Sequence, residues 1–248
     1  MSAPLPLPAP LADIWVYLSA TPLLGLTLTL LVYQGAFVLY RRSGFNPLAN
    51  PVAIAVAVLA TLLWLTGTPY ATYFEGAQFV HFLLGPATVA LAVPLFEQWQ
   101  RLRRLWLPLL GALVVGSLSA TVTAIGVGWA LGASKATLAS LAPKSVTSPV
   151  AMGIAEKIGG IPSLTAVLVA GTGIVGAVTA RSLFNAMRIQ DPTVRGFALG
   201  TAAHGIGTAR AFQVSEEMGA FAGLAMGLSA LFSALTLPLL AGALLRWL

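Results

Sequence analysis

The chain has no cysteine, only seven acidic residues and two histidines, and charged side chains make up 8% of its 248 residues. The first absence excludes disulfides, thiolate metal sites and cysteine nucleophiles. The shortage of charge excludes an ordinary soluble domain, which carries about 25% charged residues. With 58% hydrophobic residues and a mean hydropathy of +0.89, too little polar surface is left to keep the chain in water. It reads as a polytopic membrane protein. The net charge of +6 is not a nucleic-acid footprint: the basic residues fall in loop clusters, as orientation signals do, and no basic face is interleaved with polar readers. Also missing are HExxH, GxSxG and paired carboxylates at depth, so neither an enzyme nor a metal or cofactor site is expected. The run GTGIVG from Gly171 to Gly176 resembles a nucleotide loop in letters only, since no strand precedes it. Its glycines read as close helix packing.

What is present is a series of apolar segments, at roughly twenty residues per crossing. They run from about Trp15 to Tyr40, from Asn46-Pro47 and Asn50-Pro51 to Thr66, Gln78 to Phe96, Trp106 to Leu131, Ser163 to Phe184, Gly196 to Val214 and Gly219 to Leu245. Residues 1–12 are proline-rich and lack the positive start of a signal peptide; they read as a disordered lead-in to a single polytopic membrane domain over 13–248. The stretch from Ala142 to Ile158 is short for a crossing. If it crossed, Arg188 and Arg195 would face the side opposite Arg41, Arg42, Arg101, Arg103 and Arg104, against the positive-inside rule. A re-entrant or broken half-helix restores agreement. The fold expected is an all-α membrane protein of about seven transmembrane helices plus that half-helix, with the N-terminus outside and the C-terminus inside. Segment seven is then a crossing that leaves Glu216 and Glu217 outside. Asn50-Pro51-Val52-Ala53 resembles Ser148-Pro149-Val150-Ala151, and Gly85-Pro86-Ala87-Thr88 resembles Gly200-Thr201-Ala202-Ala203. These pairs suggest inverted repeats, 46–132 and 141–248, with discontinuous helices in corresponding positions.

Two stretches carry the polar chemistry. One is LAPKSVTSPVAM, from Leu141 to Met152, with two prolines and a lysine; the other is GTAAHGIGTAR, from Gly200 to Arg210. Glycines weaken a helix, and ionisable groups at membrane depth mark a cavity or a partner. His204 reads as a proton carrier or a donor to an anion, or else as a neutral histidine hydrogen-bonded across a helix interface. Arg210 can clamp a carboxylate bidentately, or snorkel to the interface beside Glu216 or Glu217. Lys144 offers a charge with Ser145, Thr147 and Ser148 as hydroxyl donors, or is an external loop lysine. Thr208 adds a hydroxyl. Asn50 and Thr88, with the backbone at Gly85, form a candidate second half-site, the alternative for Asn46 and Asn50 being simple helix starts. The substrate set is thus Lys144, Ser145, Thr147, Ser148, His204, Thr208, Arg210, Asn50 and Thr88. Glu75, Gln78 and His81 share a helix face and either line a wet access path or mark a membrane boundary. Ser145 beside Lys144 is too little for an intramembrane hydrolase, which needs a nucleophile and base placed by the fold.

At these residues the chain resembles the LrgB/CidB family. The matching runs are FLLGPATVALAVPLF (Phe82–Phe96), LAPKSVTSPVAMGIAEKIGGIPSLTAV (Leu141–Val167), DPTVRGFALGTAAHGIGTARAF (Asp191–Phe212) and SEEMGAFAGLAMGL after them. The resemblance covers roughly Gln34 to the C-terminus, and the family includes the plant plastidic glycolate/glycerate translocator. It implies an integral protein of the bacterial inner membrane with one of two roles. One is transport of small carboxylates such as glycolate, glycerate or pyruvate. The other is holin/antiholin-like control of murein hydrolase export and cell lysis. It also implies a smaller LrgA-like membrane partner. Residue chemistry and resemblance together favour a secondary transporter of small monocarboxylates (lactate included), working by alternating access. Ion coupling with His204 as the proton site is expected, and small-residue helix faces suggest a homo-oligomer, a dimer being the simplest.

Overall fold

The computed structural model describes residues 22–83, 86, 89–90 and 92–247. The lead-in 1–12, Gly85 and Thr88 lie outside the described residues, so the half-site expected at Thr88 does too. Every described element is a helix, as lipid requires of a chain that must satisfy its backbone internally. Four helices are long and apolar enough to cross a bilayer: Leu23–Arg42, Trp99–Ala130, Pro162–Ala186 and Glu216–Ala241; Pro51–Thr66 is a shorter apolar one. The protein is an all-α integral membrane protein. It divides into two compact units, one reaching to Ala90 and the other starting at Leu91.

The first unit holds α1 (Pro22–Arg42), a 3-10 turn (Pro47–Ala49), α2 (Pro51–Thr66) and α3 (Tyr70–Phe82). Both Asn-Pro pairs start helices. The side-chain oxygen of Asn46 accepts from the Leu48 N–H at 3.0 Å. That of Asn50 accepts from Val52 and Ala53 at 2.9 and 3.0 Å. Each proline follows in the first turn, where its missing N–H is no loss. Gly67 ends α2 at φ 66°, a conformation that favours glycine. Across α1 and α3, Thr29 Oγ1 lies 2.7 Å from the Tyr73 hydroxyl, and Gly25 lets the Tyr73 carbonyl come closer than a Cβ would allow.

The second unit holds α4 (Ala92–Glu97), α5 (Trp99–Ala130), α6 (Lys135–Leu141), α7 (Ser148–Lys157), α8 (Pro162–Ala186), α9 (Pro192–Phe212) and α10 (Glu216–Trp247). Helices α5 and α10 lie side by side and run the same way. Arg101 bonds Glu217 at one end, Ser117 meets Ser229 midway, and Ile125 shares a cluster with Ala241 at the other. Helix α8 connects the two ends in the opposite sense.

Between these spans the chain doubles back twice. The first reversal is the re-entrant stretch expected from its length. Helix α6 enters, turns at residues 142–147, and α7 returns, so that Ile158 packs beside Leu138, Ala139 and Ala142. The Ser140 hydroxyl accepts the Ile161 N–H at 2.8 Å, and Thr165 Oγ1 donates to the Ser140 carbonyl at 3.2 Å. Gly160 makes this closure feasible: a Cβ there would stand 2.9 Å from the Ser140 nitrogen.

The second reversal corrects the crossing expected of segment seven. Helix α9 breaks at Ala203 (φ −125°, ψ 16°) and His204 (φ 40°, ψ −133°), and its second arm folds back along the first. A Cβ on Gly207 would lie 2.8 Å from the Leu199 carbonyl oxygen, whereas a straight helix would separate these residues by about 12 Å. Thr193, at the entrance, and Phe212, at the exit, both meet the first turn of α10, at Glu217 and Gly219 respectively. Glu216 and Glu217 therefore stand at the same end as Arg101 and Asp191, not at the opposite one. Helix α10 starts at that end and finishes at the other, so the expectation of Arg101 and the C-terminus on one side is corrected as well.

Candidate functional site

The two hairpins enter from opposite ends of α8 and meet at Val169. From one side Val146 and Ala151 pack with Val169 and with Ala230 of α10. From the other, His204 Nε2 sits 2.9 Å from the Val169 carbonyl oxygen. The approach is open because α8 presents glycine here: a Cβ on Gly173 would stand 2.8 Å from His204 Cε1 and 2.9 Å from Ile206 Cβ, and one on Gly176 would stand 2.6 Å from Ala203 Cβ. Small residues of this kind let membrane helices close up. Gly173 and Gly176 thus make the close approach expected of the GTGIVG run, whereas a Cβ on Gly171 would meet nothing within 4 Å, so the expectation is corrected there.

At the first tip Pro143 breaks the helix, and the turn is closed by Lys144 N–H to Leu141 O at 3.1 Å and Val146 N–H to Pro143 O at 3.0 Å. Lys144 is half-buried, and its ammonium donates to the buried Ser145 hydroxyl at 3.2 Å. It lies within electrostatic reach of His204. Thr147 stands at the start of α7 without bonding the helix through its side chain, and Ser148 is the first residue of that helix. At the second tip His204 is 5% exposed, and Thr208 donates to its carbonyl at 2.9 Å. Both α7 and the second arm of α9 begin at a tip, so two positive helix ends point at the meeting place.

The structure thus brings Lys144, Ser145, Thr147, Ser148, His204 and Thr208 into one region. Arg210 is elsewhere. It lies six residues down the returning arm, toward the Arg101 end, and bonds Gln213 at 3.3 Å. Asn50 belongs to the first unit, where its buried side chain caps α2. Gln78 turns onto the Glu75 carbonyl of its own helix at 2.7 Å.

Four buried hydroxyls beside the tips went unnoticed in the sequence: Ser117 and Thr121 on α5, Ser229 and Ser233 on α10. Thr121 reaches the first tip directly, donating to the Ala142 carbonyl at 3.3 Å. Ser117 adjoins Gly116, which packs on Thr201 of the second hairpin. The available signal was the spacing of four, 117 with 121 and 229 with 233, inside otherwise apolar helices.

The LrgB-like family model matches residues 29–243. The chain belongs to the LrgB-like family. Among its relatives is YwbG of Bacillus subtilis (strain 168), an uncharacterized protein 37% identical over 219 residues, which cover 88% of this chain and 96% of YwbG. The antiholin-like protein LrgB of Bacillus mycoides (strain KBAB4) is 30% identical over 219 residues, 88% of this chain and 95% of its own. That of Bacillus cereus (strain B4264) is 29% identical over the same shares. No solved structure matches the chain. The LrgB match thus takes in both hairpins and the spans that hold them.

Proposed function

We propose that this LrgB-like protein is a secondary carrier of small monocarboxylates whose site lies between the two hairpin tips. The observation that carries the reading is the meeting of both interrupted stretches at Val169, with the half-buried Lys144 on one side and His204 on the other. Polar backbone breaks at such depth are tolerated only against protein or a wet cavity, and one lysine with two helix starts suits one carboxylate. Hairpins entering from opposite ends give each face of the membrane its own gate. By the positive-inside rule, the end with Arg101, Arg103, Arg104, Arg188 and Arg195 faces the cytoplasm of a bacterial inner membrane, which puts the C-terminus outside. Purified protein in liposomes is expected to take up labelled glycolate, lactate or pyruvate saturably under a proton or sodium gradient, alone or with an LrgA-like partner. Absence of uptake in both settings would sink the carrier reading.

The printed names of the relatives favour a second reading, an antiholin-like protein acting on cell lysis. It predicts unsaturable leakage or a lysis phenotype that Lys144→Ala and His204→Ala leave unchanged. The carrier reading predicts that each substitution lowers uptake at least tenfold.

A further inference from the structure

A hydroxyl in an apolar helix ordinarily bonds the carbonyl four residues back. Thr165, Thr172, Thr201, Thr208 and Thr236 all do so, at 2.7–3.1 Å. Ser117, Thr121, Ser229 and Ser233 have no such bond. They are 7%, 9%, 2% and 3% exposed, and they occupy two successive turns of parallel helices that face each other. The only partner of Ser117 and Ser229 among the described residues is the other, at 3.5 Å, well beyond the usual 2.7–2.8 Å for hydroxyl pairs. Ser233 has no partner among the described residues. No enclosed side-chain oxygen among the described residues lacks a partner, so the Ser233 oxygen reaches open space, and hydroxyls held this loosely can exchange a poor bond for a ligand.

We propose that Ser117, Thr121, Ser229 and Ser233 form the specificity-determining wall of the site, receiving an uncharged oxygen on the tail of the carboxylate. This inference rests on the carrier reading. Thr121 ties the wall to the tip that holds Lys144, and Ala230, next to Ser229, touches Val146 and Val169. Apart from Lys144, the cations nearest in the chain stand away from it, with Arg101, Arg195 and Arg210 toward one end and Lys135 and Lys157 toward the other. A second carboxylate would find no cation here, and an alkyl tail would leave the hydroxyls unpaired. A hydroxyl or keto oxygen satisfies them, because a serine or threonine donates and accepts equally well.

Lactate and propionate share a three-carbon skeleton and differ by one hydroxyl, which makes them suitable probes. Transport into liposomes and melting of the detergent-solubilised protein would be measured with each. The wild type is expected to favour lactate about tenfold in KM, the worth of a good hydrogen bond. In S117A/S229A that preference should fall to within twofold, the lactate KM rising and the propionate KM falling as the hydroxyls that propionate leaves unpaired are removed. Ser233→Ala breaks no hydrogen bond among the described residues, and at an unchanged melting temperature should lose about threefold of the preference. A preference retained in both variants, or KM values that rise equally for both acids, would overturn the assignment of the wall while sparing the carrier. A wild type that neither binds nor moves either acid would overturn the carrier and the wall together.

Discussion

At the scale of single residues, His204 carries the most unusual backbone. A side chain at φ 40°, ψ −133° is strained by about 1–3 kcal/mol, and the Val169 bond helps to hold it there. His204→Gly loses the bond but removes the strain, whereas His204→Ala loses the bond and keeps it. The glycine variant should therefore be the more stable by about 1 kcal/mol, read from melting in detergent; an alanine variant that is equally stable would deny the strain. A second residue-scale prediction concerns Asp191, outside the spans. Burial would raise its carboxyl, but the Val194 and Thr193 N–H groups and the Arg101 charge outweigh that and hold it below the ordinary value. A depressed carboxyl stabilises fully above its unfolded value and loses that contribution as the pH falls through the lower folded one. Melting should thus be insensitive to this group from pH 7 to 5 and decline below about pH 4. Asp191→Asn keeps the helix cap and should shed its share of the acid-side decline. The share is small, since the Asp191 side chain is 47% exposed.

At the scale of elements, glycine placement decides which helices can close. Gly173→Ala forces a methyl to within 2.8–2.9 Å of His204 and Ile206 and should destabilise by about 1–3 kcal/mol. Gly171, two residues away, has nothing within 4 Å, so Gly171→Ala should be neutral or gain up to about 1 kcal/mol in helix propensity. Equal effects from the two would refute the packing of α9 on α8. The first hairpin was legible in the sequence because Pro143, Pro149 and a short apolar length forbid a crossing. The second was legible as chemistry but not as shape. Gly200 to Arg210 advertised a site, yet the residues flanking it are apolar enough to pass for a span. The reversal itself depends on a histidine held at positive φ, which no local pattern announces. The serine wall was invisible for a different reason. Each serine alone looks like ordinary packing, and only the register of α5 against α10, about a hundred residues apart, sets them opposite one another.

At the scale of the whole molecule, the two reversals set the topology of the second unit. Spans α5, α8 and α10 form the frame, one hairpin is inserted from each end, and the Arg101 bonds to Asp191 and Glu217 bind both roots of the second hairpin to α5. A gate hinged at fixed roots can swing its tip without disturbing the frame, and this is how such a fold could expose one site alternately to each side. The arrangement has a direct topological consequence. The loops at residues 187–191 and 213–215 must face the same compartment, and those at 131–134 and 158–161 the other. Because the chain contains no cysteine, single replacements at Gln190, Val214, Lys135 and Lys157 report cleanly to an impermeant maleimide in sealed vesicles. Gln190→Cys and Val214→Cys should label from one face, Lys135→Cys and Lys157→Cys from the opposite one. If Val214→Cys labels together with Lys135→Cys, residues 196–214 cross the membrane after all. The second tip would then leave Val169, and the candidate site would lose one of its two halves.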